Sequence, residues 1–367
     1  MQIDSIEIFH VILPWKSPHD MAGRPSLGLE TVLARINGGG ISGWGEASPG
    51  NAPLASGEWA AGVFCCLRDW LAPAALAATT TLDEQLDSFR GNRFAKAALD
   101  TAWWDLTARS QNRPLHELLG GCRSSVEVGP TFDQMESIEQ LLGKIGQAVD
   151  EGYARVKLKF RPGWDVEMLR VVRQEFPALT THIDCEGSLG LQHMTILSRL
   201  DDFFLAMIEQ PLPADDLVGH AMVQDSIRTP ICLDESVTTP AQAEMALELH
   251  SCKSINLKPG RVGGLTAAVA IHDACHEQGI SCWVGAMPQS AIGARLGLAL
   301  AAKANCTYPA DRFPSEDMLA ADLADPLPPA RDADGVRRVP LWSGPGIGVE
   351  PDMGLLKKFC LQHVKIG

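Results

Sequence analysis

Five residues of this 367-residue chain stand at a nearly constant step: Lys159, Asp184, Glu209, Asp234 and Lys258, separated by 25, 25, 25 and 24 positions. Each ends, or nearly ends, a short apolar run of strand type: VKLK, THID, LAMIE, ICLDE and SINLK. A step of that length accommodates one strand, one helix and two loops, so the pattern reads as successive units of a (β/α) barrel. In such a barrel every strand C-terminus opens onto one face, and the five side chains are expected to converge there. One Asp after an apolar run is usually a cap or a turn. Five charged residues at one interval are a different matter, because ordinary surface charge also falls on helices and in mid-loop. Three carboxylates at one mouth repel one another unless a cation joins them.

The expected chemistry follows from the residue types. Asp184, Glu209 and Asp234 are hard oxygen ligands that suit Mg²⁺, with Mn²⁺ as a substitute. No Cys/His cluster is spaced for zinc. His182 is the one histidine near these strand ends, and a lone histidine in a strand is more often a packed core residue. Lys157 and Lys159 form a KxK pair, which strand alternation turns to the same side. A lysine beside a metal and a second lysine is expected to have a lowered pKa and to act as a base. Lys157 is expected to tune Lys159. Lys258 ends a strand across the barrel, so the two lysines face a bound carbon acid from opposite sides. Either both exchange protons, or one is the base and the other stabilises negative charge.

Size and charge narrow the setting. The chain is long enough for one barrel and a second, smaller unit. Its net charge is −14, without a basic run, which argues against nucleic acid or an anionic membrane as the main partner. The expected partner is a small-molecule carboxylate, whose oxygens would fill open positions on the metal. The N-terminal stretch MQIDSIEIFHVILPW precedes the first basic residue, Lys16, and carries no signal-type cleavage site. The apolar stretch from Ala60 to Ala78 is interrupted by Arg68, Asp69 and Pro73, so no membrane span is expected. Ten cysteines lie without CxxC spacing, several in or beside strand-like runs (Cys185, Cys232, Cys282). Buried reduced thiols and a cytoplasmic location are the expectation.

Residues 1–122 read as an α+β unit. Strand-like IEIFHVIL, TVLARI and ISGWGEA come first, with a polar, mobile loop from Lys16 to Gly28 carrying Pro18, Gly23, Pro25 and Gly28. FAKAALDTAWWDLTARS then reads as an amphipathic helix with Ala97, Thr101, Trp104 and Ala108 among its small and apolar positions. The barrel, 123–317, is expected to begin with SVEVGPTF, ending near Thr131. It continues to SCWVGAM, ending near Met287, with NCTYPA as a last short strand. The segment 318–367 is rich in turn residues and is expected to return to the first unit. Gly263 and Gly264 suggest a helix start able to bind an anion through backbone N–H groups, a weak signal alone.

The runs VKLKF, HIDC, IEQP, CLDES and INLKPGRVGGL, with GWGEASP near Gly45, resemble the enolase superfamily, muconate-lactonizing subgroup, along nearly the whole chain. Sites of that superfamily pair a Lys or His base with Mg²⁺ that stabilises an enediolate, a property of the superfamily rather than a result of the spacing. The resemblance implies an α/β fold: a (β/α)₇β modified TIM barrel under an α+β capping domain. It implies Asp184, Glu209 and Asp234 as metal ligands, Lys159 as base and Lys258 as the opposing lysine. Arg261 is then expected to adjust the charge state of Lys258. Thr131, Met287, Ser290 and Glu186 are expected to contact substrate or to lie just behind those contacts. Arg24, in the loop that closes over the site, is expected to supply specificity.

LKPGRVGGL most resembles o-succinylbenzoate synthases and related N-succinylamino acid racemases. The implied activity is therefore syn dehydration of 2-succinyl-6-hydroxy-2,4-cyclohexadiene-1-carboxylate in menaquinone synthesis. The alternatives are N-succinylamino acid racemisation or dipeptide epimerisation and, more weakly, muconate cycloisomerisation or an inactive binding barrel. Homo-oligomers are implied as well. Two positions depart from the pattern: Glu186 stands where Asn is common, and Gln289 where an acidic residue is common.

Overall fold

The computed structural model describes residues 2–21, 24–312 and 315–367, with side chains other than those of 18–25 and 316. Alternating apolar residues build the first sheet. Strands β1 (Ser5–Met21), β2 (Arg24–Gly38) and β3 (Ile41–Ala47) form an antiparallel meander. The segment read as a loop from Lys16 to Gly28 is largely strand backbone: Met21 pairs with Arg24 and His19 with Ser26, after a register break that follows Pro14. Turn-rich composition misled the reading there, because an antiparallel hairpin tolerates Pro at positions that need no ladder donor.

Both faces of this sheet are covered. Ile6, Ile8, Val32, Ala34 and Ile36 pack into one core with helix Arg93–Ser110, while Phe9, Val11, Leu13, Leu33 and Trp44 join the core continuous with the barrel. Helix Arg93–Ser110 is buried on more than one side, Phe94 through Ala102 all being inaccessible, so it is not the one-faced amphipathic helix expected. It lies directly on β3. A Cβ at Gly43 or Gly45 would stand 2.3 Å from the carbonyl oxygen of Ala102 or Ala98, so the two glycines of GWGEA permit the contact.

The barrel sheet is parallel. It comprises β5 (Thr131–Phe132), β6 (Arg155–Lys159), β7 (Thr180–Asp184), β8 (Ile208–Glu209), β9 (Ile231–Leu233), β10 (Ser254–Leu257) and β11 (Ser281–Val284), in sequence order around the curve. The run SVEVGPTF is not one strand. Pro130 lacks an N–H and divides it into β4 (Ser125–Gly129) and β5. β4 instead pairs with the last short strand, β12 (Ala310–Asp311), and the backbone at Cys306 pairs in parallel with that of Cys282 on β11, which carries the ring round to its start. The tail also divides. β13 (Ala330–Arg331) and β14 (Arg337–Pro340) extend the β4 edge, and only β15 (Cys360–Ile366) returns to the first sheet, beside β1.

A buried arginine fastens the closure. Arg155 donates to the carbonyls of Pro309 (3.2 Å) and Ala310 (2.5 Å) and to Asp311 Oδ1 (2.9 Å). Burial pushes the Asp311 carboxyl up, but Lys157 and Arg155 outweigh it and hold the carboxyl well below the usual carboxylate range. A folded pKa below the unfolded one, about 3.9, contributes stability that is present above that value and lost as pH falls. Asp311→Asn is therefore expected to cost about 3–5 kcal/mol at pH 7 in urea unfolding, because it leaves Arg155 buried without its counter-ion. The gap to wild type should narrow below about pH 4. An equal gap at pH 7 and pH 3 would count against this account of the closure.

Candidate active site

Register assembles the site. Lys159 pairs directly with Asp184, and Asp184 with Glu209, so three strand ends form one row. Lys157 Nζ lies 2.9 Å from Asp184 Oδ2 and 2.8 Å from Glu209 Oε2. Lys159 Nζ donates to Asp184 Oδ2 (2.9 Å) and Glu186 Oε1 (2.6 Å). Across the barrel, Lys258 Nζ donates to Asp234 Oδ2 (2.7 Å), and Arg261 donates to the other oxygen of Asp234. Lys157, Lys159, Asp184, Glu186, Asp234, Lys258 and Arg261 border a cavity of about 650 Å³ that the cap residue Ala55 also touches, while Glu209 lies fully buried beneath it. Four of the five residues that set the sequence period thus line one mouth, Glu209 sits just beneath against Lys157 and Asn256, and both lysines of the KxK pair point inward.

The charges hold one another. Burial lowers the Lys157 ammonium's pKa, but Asp184 and Glu209 outweigh it and raise it well above the ordinary value. Burial likewise lowers Lys159, while Asp184 and Glu186 raise it, and the net shift is upward. That is opposite to the lowered value expected from a metal and a second lysine, because the carboxylates face the ammonium directly. Burial raises Asp184 and Glu209, and the lysines bring both below their usual range. Arg261 is lowered to about 10 by burial.

The donor set fits a hard divalent cation. Glu209 is fully buried, with Lys157 Nζ 2.8 Å and His182 Nε2 3.5 Å from its Oε2 and Asn256 on its Oε1. The carboxylates of Asp184, Glu209 and Asp234 are held apart by the ammonium groups of Lys157, Lys159 and Lys258, positive charge that a divalent cation would take over. As the side chains stand, no three His, Cys, Asp or Glu among the described residues are grouped closely enough to hold an ion. The lysine contacts have to loosen for the three carboxylates to share one.

The other expected residues divide. Thr131 and Met287 line the cavity, and Thr131 donates to Asp311 Oδ1 (3.3 Å). Glu186 stands on the cavity wall and Arg261 beside Lys258. Ser290 is not in contact with the cavity. It is fully buried, caps helix Ala291–Ala301 and donates its hydroxyl to Glu46 of β3, which ties cap to barrel. Gln289 lines a separate small cavity of about 30 Å³ behind Lys258, with Glu46. The side chain of Arg24 lies outside the described residues. The anion expected at Gly263–Gly264 is the protein's own: Asp100 of the cap helix accepts from the N–H groups of Leu265 (2.5 Å) and Thr266 (3.1 Å). His182 is a core residue, buried against Trp283 and Tyr308, and burial keeps it below its usual pKa. The ten cysteines are free thiols, six of them buried.

Two contributors escaped the sequence reading. Asn256 donates to Glu209 Oε1 (2.7 Å) and accepts from the N–H of Gly285 (2.7 Å), which fixes the floor of the site. Asn256 and Lys258 repeat the i, i+2 spacing of the KxK pair, and that alternation was the available signal. Gln210 of the IEQP run accepts from the N–H groups of Asp234 (2.9 Å) and Ser236 (3.2 Å), so it sets the turn that presents Asp234.

Comparison with known proteins agrees with this architecture. Residues 5–120 match the family described as mandelate racemase / muconate lactonizing enzyme, N-terminal domain, and residues 140–355 the family described as enolase C-terminal domain-like. An o-succinylbenzoate synthase of Geobacillus stearothermophilus is 37% identical over 371 residues, covering 100% of this chain and 98% of that protein. An N-succinylamino acid racemase of Amycolatopsis sp is also 37% identical, over 376 residues and 100% of both chains. The crystal structure of an enolase-superfamily member from Enterococcus faecalis V583 superposes with a TM-score of 0.93 at 35% identity, over 100% of this chain and 99% of that one. Among the described residues no helix is long and apolar enough to cross a membrane.

Proposed function

Because the chain belongs to the enolase superfamily and is an enzyme of its mandelate racemase / muconate lactonizing group, we propose that it is a Mg²⁺-dependent o-succinylbenzoate synthase. The substrate is 2-succinyl-6-hydroxy-2,4-cyclohexadiene-1-carboxylate, and the reaction is its dehydration to 2-succinylbenzoate. The observation that carries the reading is the pair Lys159 and Lys258 bordering one cavity with Asp184 and Asp234 between them.

Asp184, Glu209 and Asp234 are the proposed ligands. A Mg²⁺ held there would supply positive charge that stabilises the oxygen becoming negative as the α-proton leaves. Lys159 takes that proton. For Lys159 to act as a base it must be neutral, so its contact with Asp184 has to weaken on loading, while a neutral amine still donates an N–H to Glu186. Lys258 faces the substrate from the other strand and adds charge there. Arg261 shares Asp234 with Lys258 and keeps that side cationic. The apolar surfaces of Phe132, Met287 and Met318 help to exclude water from the reacting carbon.

Racemisation of N-succinylamino acids is the second reading, favoured by the same two opposed lysines and by the racemase relative of equal identity. The test is a direct comparison of kcat/KM for dehydration and for racemisation on the Mg²⁺-loaded protein. Dehydration is expected to exceed racemisation. Racemisation alone would replace the first reading by the second.

A further inference from the structure

The geometry points to Glu186 as a positioning residue that holds Lys159 in place when a cation engages Asp184, an inference that rests on the function proposed above. Glu186 has φ +49°, in the left-handed region that Gly and Asn adopt readily and Glu rarely. The turn is held there by hydrogen bonds from its own N–H to Asp184 Oδ1 (3.1 Å) and from Gly187 N to the Gln210 carbonyl (2.8 Å). A non-glycine residue kept in that conformation is a reason to ask what its side chain does. The Glu186 side chain stays 53% exposed, yet it bends along the cavity wall to Lys159 Nζ at 2.6 Å, closer than Asp184 at 2.9 Å.

Lys159 therefore has two anchors of different kinds. Asp184 is a proposed metal ligand and is drawn away on loading. Glu186 remains as the protein's own acceptor for one N–H of Lys159. This matters for a syn elimination, in which hydrogen and hydroxyl leave from one face. First the C–H bond breaks, its proton passes to Lys159 Nζ and its electron pair enters the enediolate. Then the C–O bond breaks with its pair on oxygen, and that oxygen takes the proton from the Lys159 ammonium to leave as water. Between the two steps the ammonium either returns the proton to carbon or delivers it to the hydroxyl. An acceptor on one N–H restricts how Nζ turns, and so favours delivery.

Two measurements decide the matter. In crystals of the wild-type protein soaked with Mg²⁺, Lys159 Nζ should stay within about 3.2 Å of Glu186 while its distance to Asp184 lengthens. In kinetics, Glu186→Ala should lower kcat for dehydration about 10–100-fold with little change in KM. In deuterated water it should also raise the deuterium found in recovered substrate per product formed. Glu186→Gln, which keeps an acceptor oxygen at the same reach, should restore most of both. Glu186→Asn suits the left-handed backbone but stops short of Lys159, and should behave like the alanine variant even where alanine perturbs the turn. Wild-type kcat and partition in Glu186→Ala, or Glu186 turned to solvent in the Mg²⁺ crystals, would overturn the role. Wild-type protein that neither dehydrates the proposed substrate nor exchanges its α-proton would instead overturn the proposed function, and the crystal contact alone would then decide for or against Glu186.

Discussion

Lys159→Ala is expected to lower turnover by about 10²–10⁴-fold with the fold intact, whether the enzyme dehydrates or racemises, since both begin by removing an α-proton. Lys258 separates the two. A racemase needs Lys258 to deliver a proton to the opposite face, whereas a synthase needs only its charge near the developing enediolate. Lys258→Arg keeps the charge, but its pKa is too high for ready proton exchange. The variant should retain measurable dehydration and lose racemisation. The side chain is buried and Arg261 already occupies Asp234, so thermal unfolding has to establish first that the larger guanidinium is accommodated. A folded Lys258→Arg protein that racemises an N-succinylamino acid at the wild-type rate would contradict the role given to Lys258.

Chelation is expected to have an effect of similar size. Excess EDTA should abolish activity, and Mg²⁺ or Mn²⁺ should restore it. The same binding should appear without any substrate. At about 100 times its Kd, a cation that binds only the folded chain adds about 2.7 kcal/mol of stability, read as a higher Tm. Asp184→Asn and Asp234→Asn should each blunt that shift, because each removes an oxygen charge from the proposed set. Glu209→Gln should blunt it too, and should also leave Lys157 with one fewer counter-ion in the buried floor. Full activity in excess chelator, or equal Mg²⁺-induced Tm shifts in wild type and all three variants, would remove the metal from these positions.

The site was largely legible in the sequence because its chemistry sits at strand ends. Lys159, Asp184, Glu209, Asp234 and Lys258 each follow an apolar run, and a β/α repeat fixes their spacing before any tertiary contact is known. What the repeat could not carry was contact made across the sheet. Asp311 matters through Arg155, which lies 156 positions away in the chain. Gln210 matters through the N–H of Asp234 on the next strand.

Misreadings at the edges share another cause. Pro130 split an apparent strand, and the Pro- and Gly-rich stretch around residue 25 continued a hairpin instead of looping out. Local composition reported turn propensity correctly in both places, and pairing with neighbouring strands decided the outcome. Helix Arg93–Ser110 is packed between layers, which no helical period reveals. Glu186 was visible as an odd charge, but its backbone conformation and its reach to Lys159 were not.

The central claim is that Lys159 and the carboxylates beside it remove a proton from carbon next to a carboxylate. The most direct measurement incubates the Mg²⁺-loaded protein with an N-succinylamino acid in deuterated water, a carbon acid with no hydroxyl to lose, and follows the α-position by NMR. Deuterium should enter at the α-carbon with wild-type protein and fall to background with Lys159→Ala. No exchange into the N-succinylamino acid together with no dehydration of the cyclohexadiene carboxylate by folded, Mg²⁺-loaded wild type, or undiminished exchange by Lys159→Ala, would contradict the claim.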